Sequence, residues 1–402
     1  MKAILMAAAA IFLTAAYSYP LTQPDISAIG DFRAYTGNWK NLDGAKTSKN
    51  GTLNMSFEEL ELAVAGYLNP YAKAWVTLST PGNGLEIEEA YGDIFKGLPL
   101  KAELKAGQYL VDFGKLNTFH AHAFPFIERP LVHQALLGPD GFRDQGVNIS
   151  FLLPLPVYSK LSLNILRGSI FSQGDTLADT LTHRNSKLPI YSGRWNLFLP
   201  IGSKGDLDVG LSGLFGRYKG KGAYGTGDAP DGFRNLNAVM GAFDAKYKIR
   251  WSDYTSLIVQ GEYIINRRDL FTQSFTHVTN GGGFAFFDYT FLKRYDLGAM
   301  FDRAPGIFDG NAARFGQSLP DSLNNTSRAV LDNKNYSTDI TVFGGFALLE
   351  ETTLIRLSAQ YTSYHISDQS LLANTSLKSK DSELTIMAQL IWSMGPHKPH
   401  EF

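Results

Sequence analysis

The sequence contains no cysteine, so disulfide bonds contribute nothing to its stability. A small secreted domain held together by disulfides is therefore excluded, and the 402-residue chain must depend on a packed core or on a closed sheet. An excess of charge of one sign is also lacking, because 37 basic and 38 acidic residues give a formal net charge of −1. Without a basic excess, no nucleic acid or anionic surface is expected as a partner.

Recognisable catalytic motifs are missing as well. The chain has no GxSxG nucleophile turn, no HExxH metal motif and no glycine-rich phosphate-binding loop. Serine and histidine do occur together in short segments, as in residues 363–365. These observations predict that the protein is not an enzyme, and a hydrolase embedded in the membrane that uses a serine and a histidine is the alternative.

Long apolar runs are lacking everywhere except at the N-terminus. Lys2 precedes an apolar run from Ala3 to Ala16, and small residues follow it. A short apolar run behind a positive charge is typical of a secretory signal peptide, so residues 1–18 are predicted to be one and residues 19–402 to form a single exported domain. A retained anchor helix is the alternative, but it needs about 20 apolar residues to span a bilayer.

The mean hydropathy is slightly negative, which fits two classes of exported protein. One class is a soluble secreted β-protein. The other is a membrane β-barrel, which faces lipid with only every second residue of each strand and therefore keeps a mean hydropathy near zero. An aromatic content of 13% and a total of 39 glycines favour the barrel, because barrels have aromatic girdles and closely packed strands.

Alternation of apolar and polar residues is the main pattern of the chain. In LPLKAELKA, residues 98–106, the leucines and alanines share one face while Lys101, Glu103 and Lys105 share the other. Stretches of this kind predict about sixteen strands, within a range of about 14–18. The predicted strands are 26–37, 53–66, 71–80, 85–95, 99–110, 145–153, 159–168, 190–199, 206–217, 236–250, 254–264, 283–292, 296–303, 336–348, 353–363 and 380–393.

The connections between these strands alternate between short and long. Short turns at one rim and long loops at the other are typical of outer-membrane barrels and not of soluble sandwiches. The sequence therefore predicts an all-β fold, an antiparallel transmembrane β-barrel with both chain ends on the periplasmic side. The connection near residues 80–84 is short where a long one is expected, and the predicted long loops are 38–52, 111–144, 169–189, 218–235, 265–282, 304–335 and 364–379.

One segment after the fifth predicted strand interrupts the alternation and carries a family resemblance. The residues that carry it are AGQYLVDFGKLN at 106–117, HAHAF at 120–124, ERPLVHQALLG at 128–138, RDQGVNISFLLP at 143–154 and the tail MGPHKPHEF at 394–402. With these residues the sequence resembles porin-like bacterial outer-membrane barrels known as zinc-regulated outer-membrane receptors, and more distantly phosphate-selective porins of the O/P type. This resemblance implies localisation in the outer membrane of a Gram-negative-type bacterium.

The same resemblance implies which partners the chain has. Outer-membrane lipid would surround the barrel, the barrel assembly machinery would insert it, and the terminal Phe402 resembles the signal that this machinery reads. Pro396 and Pro399 depart from the usual form of that signal, because proline does not pair within a central ladder, so the last strand is expected to end near Ser393. Porins of this size are often trimers, so a homotrimer is a candidate oligomer, and the sequence leaves the oligomeric state open.

Histidines in the segment and in the tail are candidate metal ligands. His120 and His122 are two residues apart, so on an extended segment both rings project to the same side, and His133 could complete a three-nitrogen site suited to zinc. The alternative is that these rings only pack the segment against itself. His397 and His400 would lie at the periplasmic rim, separated from the other three histidines by a hydrocarbon layer about 30 Å thick. They would form a second, weak metal-binding site.

Charged residues in the same segment are candidates for a pore constriction. Lys115, Glu128, Arg129, Arg143 and Asp144 carry charges of both signs, and rings of charge lining a pore select ions by sign. The balance predicts weak selectivity, and surface ion pairs are the alternative. The sequence therefore predicts a channel without a cofactor, in which residues 112–144 narrow a pore for passive diffusion of small solutes or ions. The alternative function is zinc binding and uptake through the loop and tail histidines.

Overall fold

The computed structural model describes eleven parts of the chain. They are residues 23–38, 51–80, 84–168, 183–185, 188–221, 233–271, 275–305, 335–349, 352–365, 367 and 380–396. The predicted signal peptide, His397, His400 and Phe402 lie outside these residues, so what the sequence indicates for them stays a prediction. Within the described residues, no helix has both the length and the apolar character needed to cross a membrane.

Antiparallel strands close into a single barrel. β1 pairs with β2 on one side and with β17 on the other, which closes the ring. β8 and β9 both pair with β10 and share one position, so the described strands fill sixteen positions, as the sequence predicts. The strands are β1 (Asp25–Gly37), β2 (Asn54–Asn69), β3 (Ala72–Ser79), β4 (Glu86–Ile94), β5 (Ala102–Leu110), β6 (Arg143–Leu152), β7 (Tyr158–Leu166), β8 (His183–Asn185), β9 (Ile190–Ile201), β10 (Gly205–Lys221), β11 (Phe233–Ser252), β12 (Thr255–Phe271), β13 (Phe275–Phe291), β14 (Tyr295–Pro305), β15 (Tyr336–Leu349), β16 (Thr353–His365) and β17 (Lys380–Met394).

The alternation in sequence separates a lipid-facing surface from a polar lumen. On β16, Leu357 and Tyr361 point outward and are exposed, whereas Arg356, Ser358 and Gln360 point inward and are buried. The outward apolar side chains recur around the ring and form the belt that an outer-membrane barrel presents to lipid. The protein is therefore an outer-membrane barrel. Members of this belt include Leu211, Phe243, Val259, Phe287, Leu297, Val342 and Ile386.

Two hairpins are longer than the alternation predicts. The segment predicted as a loop at 265–282 is largely paired, because β12 and β13 stay in register from Thr255↔Phe291 to Phe271↔Phe275. The sequence pattern misses this pairing because glycines interrupt the alternation of apolar and polar residues. Glycine is required at residue 283, where a Cβ would lie 2.6 Å from the Glu262 carbonyl oxygen and 2.9 Å from the Tyr263 ring. The loop predicted at 218–235 is shortened in the same way, since β10 and β11 pair up to Lys221 and Phe233.

The start of the fifth strand also differs from the prediction. Residues 99–101 form a 3-10 turn in which Leu100 and Lys101 have positive φ angles of 58° and 52°, so the strand begins at Ala102. Lys101 is therefore exposed in a turn, whereas Glu103 and Lys105 line the lumen as the alternation predicts. Both ends of the described barrel lie at the rim that carries the short turns, because Ala28 pairs with Met394 there, and the periplasmic side of this rim stays a prediction.

Lipid exposure gives a depth-dependent prediction. Leu211 lies at the middle of β10, faces outward and is 49% exposed, so Leu211→Arg should lower the free energy of unfolding in lipid vesicles by about 2–4 kcal/mol. Leu68 is also exposed but lies at the rim, and Leu68→Arg should cost at most about 1 kcal/mol. Denaturant titration followed by tryptophan fluorescence measures both values. Equal costs at the two positions would contradict this placement of the bilayer.

Candidate pore constriction

The connection between β5 and β6 folds into the barrel. Residues 111–142, here called the lumen loop, contain two 3-10 turns, Leu116–Thr118 and Ala121–Ala123, and one short helix, α1 (Leu131–Leu137). A loop on the outer surface would expose its apolar side chains to water. The lumen loop instead buries them almost completely, with at most 1% exposure at Val111, Phe113, Leu116, Phe124, Phe126, Ile127, Val132, Leu137 and Phe142.

A neck of hydrogen bonds closes the base of the loop. The Asn117 side chain donates to the carbonyl oxygens of Val111 (2.8 Å) and Phe142 (2.9 Å). Its oxygen accepts a bond of 2.7 Å from the Phe142 amide, and the Val111 amide donates to the Phe142 carbonyl over 2.9 Å. One buried amide side chain therefore holds the entering and leaving strands together, and the loop keeps its own shape.

Glu262 of β12 anchors both halves of the loop to the wall. One carboxylate oxygen lies 2.8 Å from His133 Nε2. The other accepts hydrogen bonds from the amides of Lys115 (3.0 Å) and Leu116 (3.4 Å). Gly114 comes so close to this carboxylate, with a φ of 70°, that a Cβ there would overlap it. The start of the loop and α1 are thus tied to a single wall residue.

Aromatic packing fixes the middle of the loop against another part of the wall. The Phe126 ring contacts Phe286 of β13 and Phe343 of β15 edge-on, with ring centroids 5.2 Å and 5.8 Å away. Ile127 packs with Tyr35 of β1 in a small buried cluster. Aromatic pairs of this kind add about 0.5–1.5 kcal/mol each beyond the area they bury. The start and end of the loop pack elsewhere, because Phe113, Leu137 and Phe142 share a larger buried cluster with apolar residues of β10, β11 and β12.

Charged contacts reinforce this docking. Glu128, predicted as a constriction residue, accepts a hydrogen bond of 2.9 Å from Arg33 of β1, and Arg33 also binds Asp31 over 2.6 Å. The Val132 amide at the start of α1 donates to both carboxylate oxygens of Asp302, at 3.3 Å and 3.4 Å. Glu128 therefore acts first as an anchor of the loop, because its partner lies on the wall and not across an open pore.

Arg129 lies inside the loop and not at a pore edge. It is 6% exposed, donates to the Phe119 carbonyl over 3.3 Å and places its guanidinium 5.0 Å from the Phe124 ring centroid. Burial lowers the pKa of Arg129 to about 10, an effect that Asp140 and carboxylates of the wall partly offset. The residue stays protonated at neutral pH and holds parts of the loop together, since its guanidinium contacts both the Phe119 carbonyl and the Phe124 ring.

The remaining three predicted constriction residues have different surroundings. Arg143 begins β6 and lies 3.7 Å from Glu86 and 3.9 Å from Glu88 of β4, two strand positions away. Asp144 accepts hydrogen bonds from the amides of Gln145 and, over 2.7 Å, Gly168, so it orders the wall. Lys115 lies at the loop edge, lines a cavity and forms an ion pair of 2.5 Å with Asp208 of β10. Of the five predicted residues, Lys115 is the one on the lining of this cavity.

The two neighbouring histidines meet a cluster of wall glutamates. His120 Nδ1 lies 2.9 Å from Glu88 and 3.5 Å from Glu61, while its Nε2 lies 3.1 Å from Glu89. His122 Nδ1 lies 3.3 Å from the same Glu61 oxygen, and the two rings stack with centroids 5.7 Å apart. Burial lowers the pKa of His120, but its hydrogen bonds to Glu88 and Glu89 outweigh burial and raise that pKa well above its ordinary value.

The third predicted histidine does not join this pair. His133 is fully buried on α1, where its ring contacts Phe284 edge-on and reaches Glu262 of β12. β12 is seven strand positions from β4 in one direction and seven from β2 in the other. The three-histidine set predicted from spacing is therefore wrong, because α1 carries His133 to the wall opposite His120 and His122.

A β-bulge brings the wall glutamates together. Thr77 of β3 pairs with Glu89, but the next pair involves Ile87, so Glu88 is an extra residue in β4. Bulges of this kind re-aim a side chain, and here two adjacent glutamates both face the loop. A second register shift falls within residues 57–59 of β2. These glutamates are absent from the residues predicted from sequence, although adjacent acidic residues inside an alternating strand are a usable signal of a bulge.

A polar cavity remains on the other side of the lumen. Its volume is about 490 Å³, and it separates the loop edge from the wall formed by β3–β7 and β9. A second cavity of about 1140 Å³ lies at the rim with the short turns and is lined by Lys248, Asp288 and Arg356 among others. Charges of both signs line the first cavity: the acidic ones include Glu89, Asp93, Glu103 and Asp112, and the basic ones include Lys105, Lys115, Lys160 and Arg194.

Comparison with solved structures shows which proteins have a similar fold. The outer-membrane channel DcaP of Acinetobacter baumannii superimposes with a TM-score of 0.56 and 12% identity over 94% of this chain and 99% of that one. An anion-selective porin from Comamonas acidovorans gives a TM-score of 0.56 and 11% identity over 93% and 100%. Pseudomonas putida OprB gives a TM-score of 0.53 and 9% identity over 93% and 94%.

Comparisons of sequence add less. An uncharacterized protein of Aquifex aeolicus is 28% identical over 270 residues, which is 61% of this chain, and the chain matches 56% of that protein's length. No protein-family model matches the chain. The structural comparisons and the lipid-facing belt together establish that this protein has the fold of bacterial outer-membrane porins.

Proposed function

We propose that the protein is an outer-membrane channel through which small solutes diffuse passively, and that the lumen loop narrows it. The observation that supports this proposal is the polar cavity between the edge of the loop and the wall formed by β3–β7 and β9. A loop that merely filled the barrel would pack on every side. This loop packs against β10–β17 and β1, and against the ends of β7 and β9 at Leu166 and Ile190, and it leaves a charged cavity beside β3–β7 and β9.

The mechanism is selection by size and charge. Anchors at Glu262, Asp302 and Arg33 hold the loop in place, so the width of the passage is set by docked side chains. Both signs of charge line the passage, which favours polar solutes and disfavours sharp discrimination between anions and cations. No catalytic step and no cofactor is needed for this function. The similar solved proteins include a channel and an anion-selective porin, in agreement with the proposal.

Planar-bilayer recording of the purified, folded protein tests the proposal. Discrete and voltage-independent current steps are expected on insertion, with similar permeability for small cations and anions. Liposome swelling in sugars of increasing size should show a cut-off set by the loop. A folded protein that inserts into bilayers, yet carries no current and admits no sugar, would overturn the proposal.

The charge at the loop edge should set the direction of weak ion selectivity. Lys115→Glu replaces a cation on the cavity lining by an anion and removes its ion pair with Asp208. The permeability ratio of K⁺ to Cl⁻ should rise about two- to fivefold, because a ring of charge selects ions by sign. Reversal potentials in a salt gradient measure this ratio. Lys101→Glu, in an exposed turn outside the lumen, is the matched control and should leave the ratio unchanged.

A further inference from the structure

The cluster of histidines and glutamates has the donor set of a metal site. Three inward donors lie together, Nδ1 of His120 and one carboxylate oxygen each from Glu61 and Glu88, and Nδ1 of His122 lies beside them, next to the same Glu61 oxygen. Two loop residues and two wall strands contribute to it. The donor atoms of Glu61, Glu88 and His120 all lie within 4.8 Å of one another.

The spacing of these donors matches a small coordination sphere. Metal–ligand bonds of about 2.0–2.1 Å in a tetrahedron place neighbouring donors about 3.3–3.4 Å apart. The observed separations are 2.9 Å and 3.5 Å from His120 Nδ1 to Glu88 and Glu61, and 3.3 Å from His122 Nδ1 to Glu61. Two nitrogens and two oxygens suit zinc-class cations, whereas Mg²⁺ and Ca²⁺ prefer shells made of oxygen alone.

Glu61 supplies an independent observation. The residue is 2% exposed, and neither of its carboxylate oxygens accepts a hydrogen bond. His122 Nδ1 approaches one of these oxygens to 3.3 Å. A buried carboxylate without donors is costly, and a bound cation removes that cost.

The second ring nitrogen of His120 also has the surroundings typical of a metal-bound histidine. Its Nε2 faces Glu89 at 3.1 Å, which is the carboxylate–histidine arrangement that orients metal-bound imidazoles. A proton on Nε2 leaves the Nδ1 lone pair directed at Glu88 and Glu61. That contact is favourable when a second proton or a cation lies between the three groups.

We propose that His120, His122, Glu61 and Glu88 bind one divalent cation of the zinc class, with Glu89 orienting His120. The cation would link the lumen loop to β2 and β4, on the side where the loop borders the open cavity. Entry is available because His120 and Glu89 line that cavity. Binding stands on the geometry alone, whereas its effect, a reduction of conductance and of current fluctuations, rests on the proposed channel function.

Cobalt substitution tests the site directly. The purified full-length barrel in detergent, treated with a chelator and titrated with Co²⁺, should develop the strong visible bands of four-coordinate cobalt, saturating at about one equivalent. Zn²⁺ should displace them. His120→Gln and Glu61→Gln should abolish the bands, and Glu89→Gln should weaken Co²⁺ binding about 10–100-fold, because it removes only the orienting partner. His277→Gln, at an exposed histidine of β13, should bind Co²⁺ as the unaltered protein does.

Folding of each variant is checked by its heat-modifiable migration in SDS gels, and Glu61→Gln keeps the shape of the side chain. Absent bands in the folded parent protein, or bands that persist in both His120→Gln and Glu61→Gln, would overturn the proposal. Bilayer recording with and without Zn²⁺ separates the two ideas. Current without Co²⁺ binding removes the site and keeps the channel, whereas Co²⁺ binding without current removes the channel and keeps the site.

Discussion

Replacing residues 113–141 by a short glycine–serine linker is expected to raise the single-channel conductance about two- to threefold or more, because a sixteen-stranded barrel without an inserted loop leaves a wide aqueous channel. The barrel should still fold. Its strands are held by ladders that do not involve the loop, and β5 and β6 pair along their whole length from Ala102↔Phe151 to Leu110↔Arg143. The replacement keeps the residues that end β5 and begin β6.

The measurement combines conductance with the exclusion of neutral polymers. Polyethylene glycols of increasing radius should enter the shortened channel at sizes that the complete channel rejects. Heat-modifiable migration in SDS gels provides the folding control. An unchanged conductance in a folded barrel would mean that the lumen loop is not the constriction, and the narrow point would then lie among the wall side chains.

Most of the barrel follows from sequence because its pattern is local. Each strand alternates between lipid and lumen, so every second residue reports its surroundings independently of the rest of the chain. On β16 this assigns Arg356, Ser358 and Gln360 to the lumen, as observed. The pattern fails where it is broken by glycine, as at 281–283, and where pairing continues beyond the lipid layer, as in the β12–β13 hairpin.

The site is less predictable because its partners are distant in sequence. His120 meets Glu89, 31 residues away, and His133 meets Glu262, 129 residues away. The alternation of apolar and polar residues assigns Glu262 to the lumen, but it does not identify the residue that Glu262 contacts there. That information depends on barrel closure and on the path of the loop. The spacing of the histidines in the sequence predicted that His133 and His120 share a site. The short helix α1 instead carries His133 to the opposite wall.

Glu262→Ala is expected to release the loop without unfolding the barrel. The change removes the only wall carboxylate, among the described contacts, that holds both the start of the loop and α1. It leaves His133, which is fully buried, without its partner, together with two backbone amides. Removing one partner of a buried polar pair costs on the order of 3–5 kcal/mol, enough to shift the docked loop toward alternative positions.

Single-channel current recordings of Glu262→Ala should be noisier and should show several conductance levels, some of them higher than the single level of the unaltered protein. Glu103→Ala is the matched control, because Glu103 also faces the lumen but contacts Ser150 and Lys160 of neighbouring strands. That variant should keep one level, with at most a change in ion selectivity. Loop release also predicts faster proteolysis within residues 113–141 of Glu262→Ala, whereas β-strand segments stay protected. A single unchanged conductance level together with protection of the loop would show that the aromatic contacts of Phe126 and the ion pair of Glu128 suffice to hold it, and Glu262 would then be a wall residue without a role in the width of the pore.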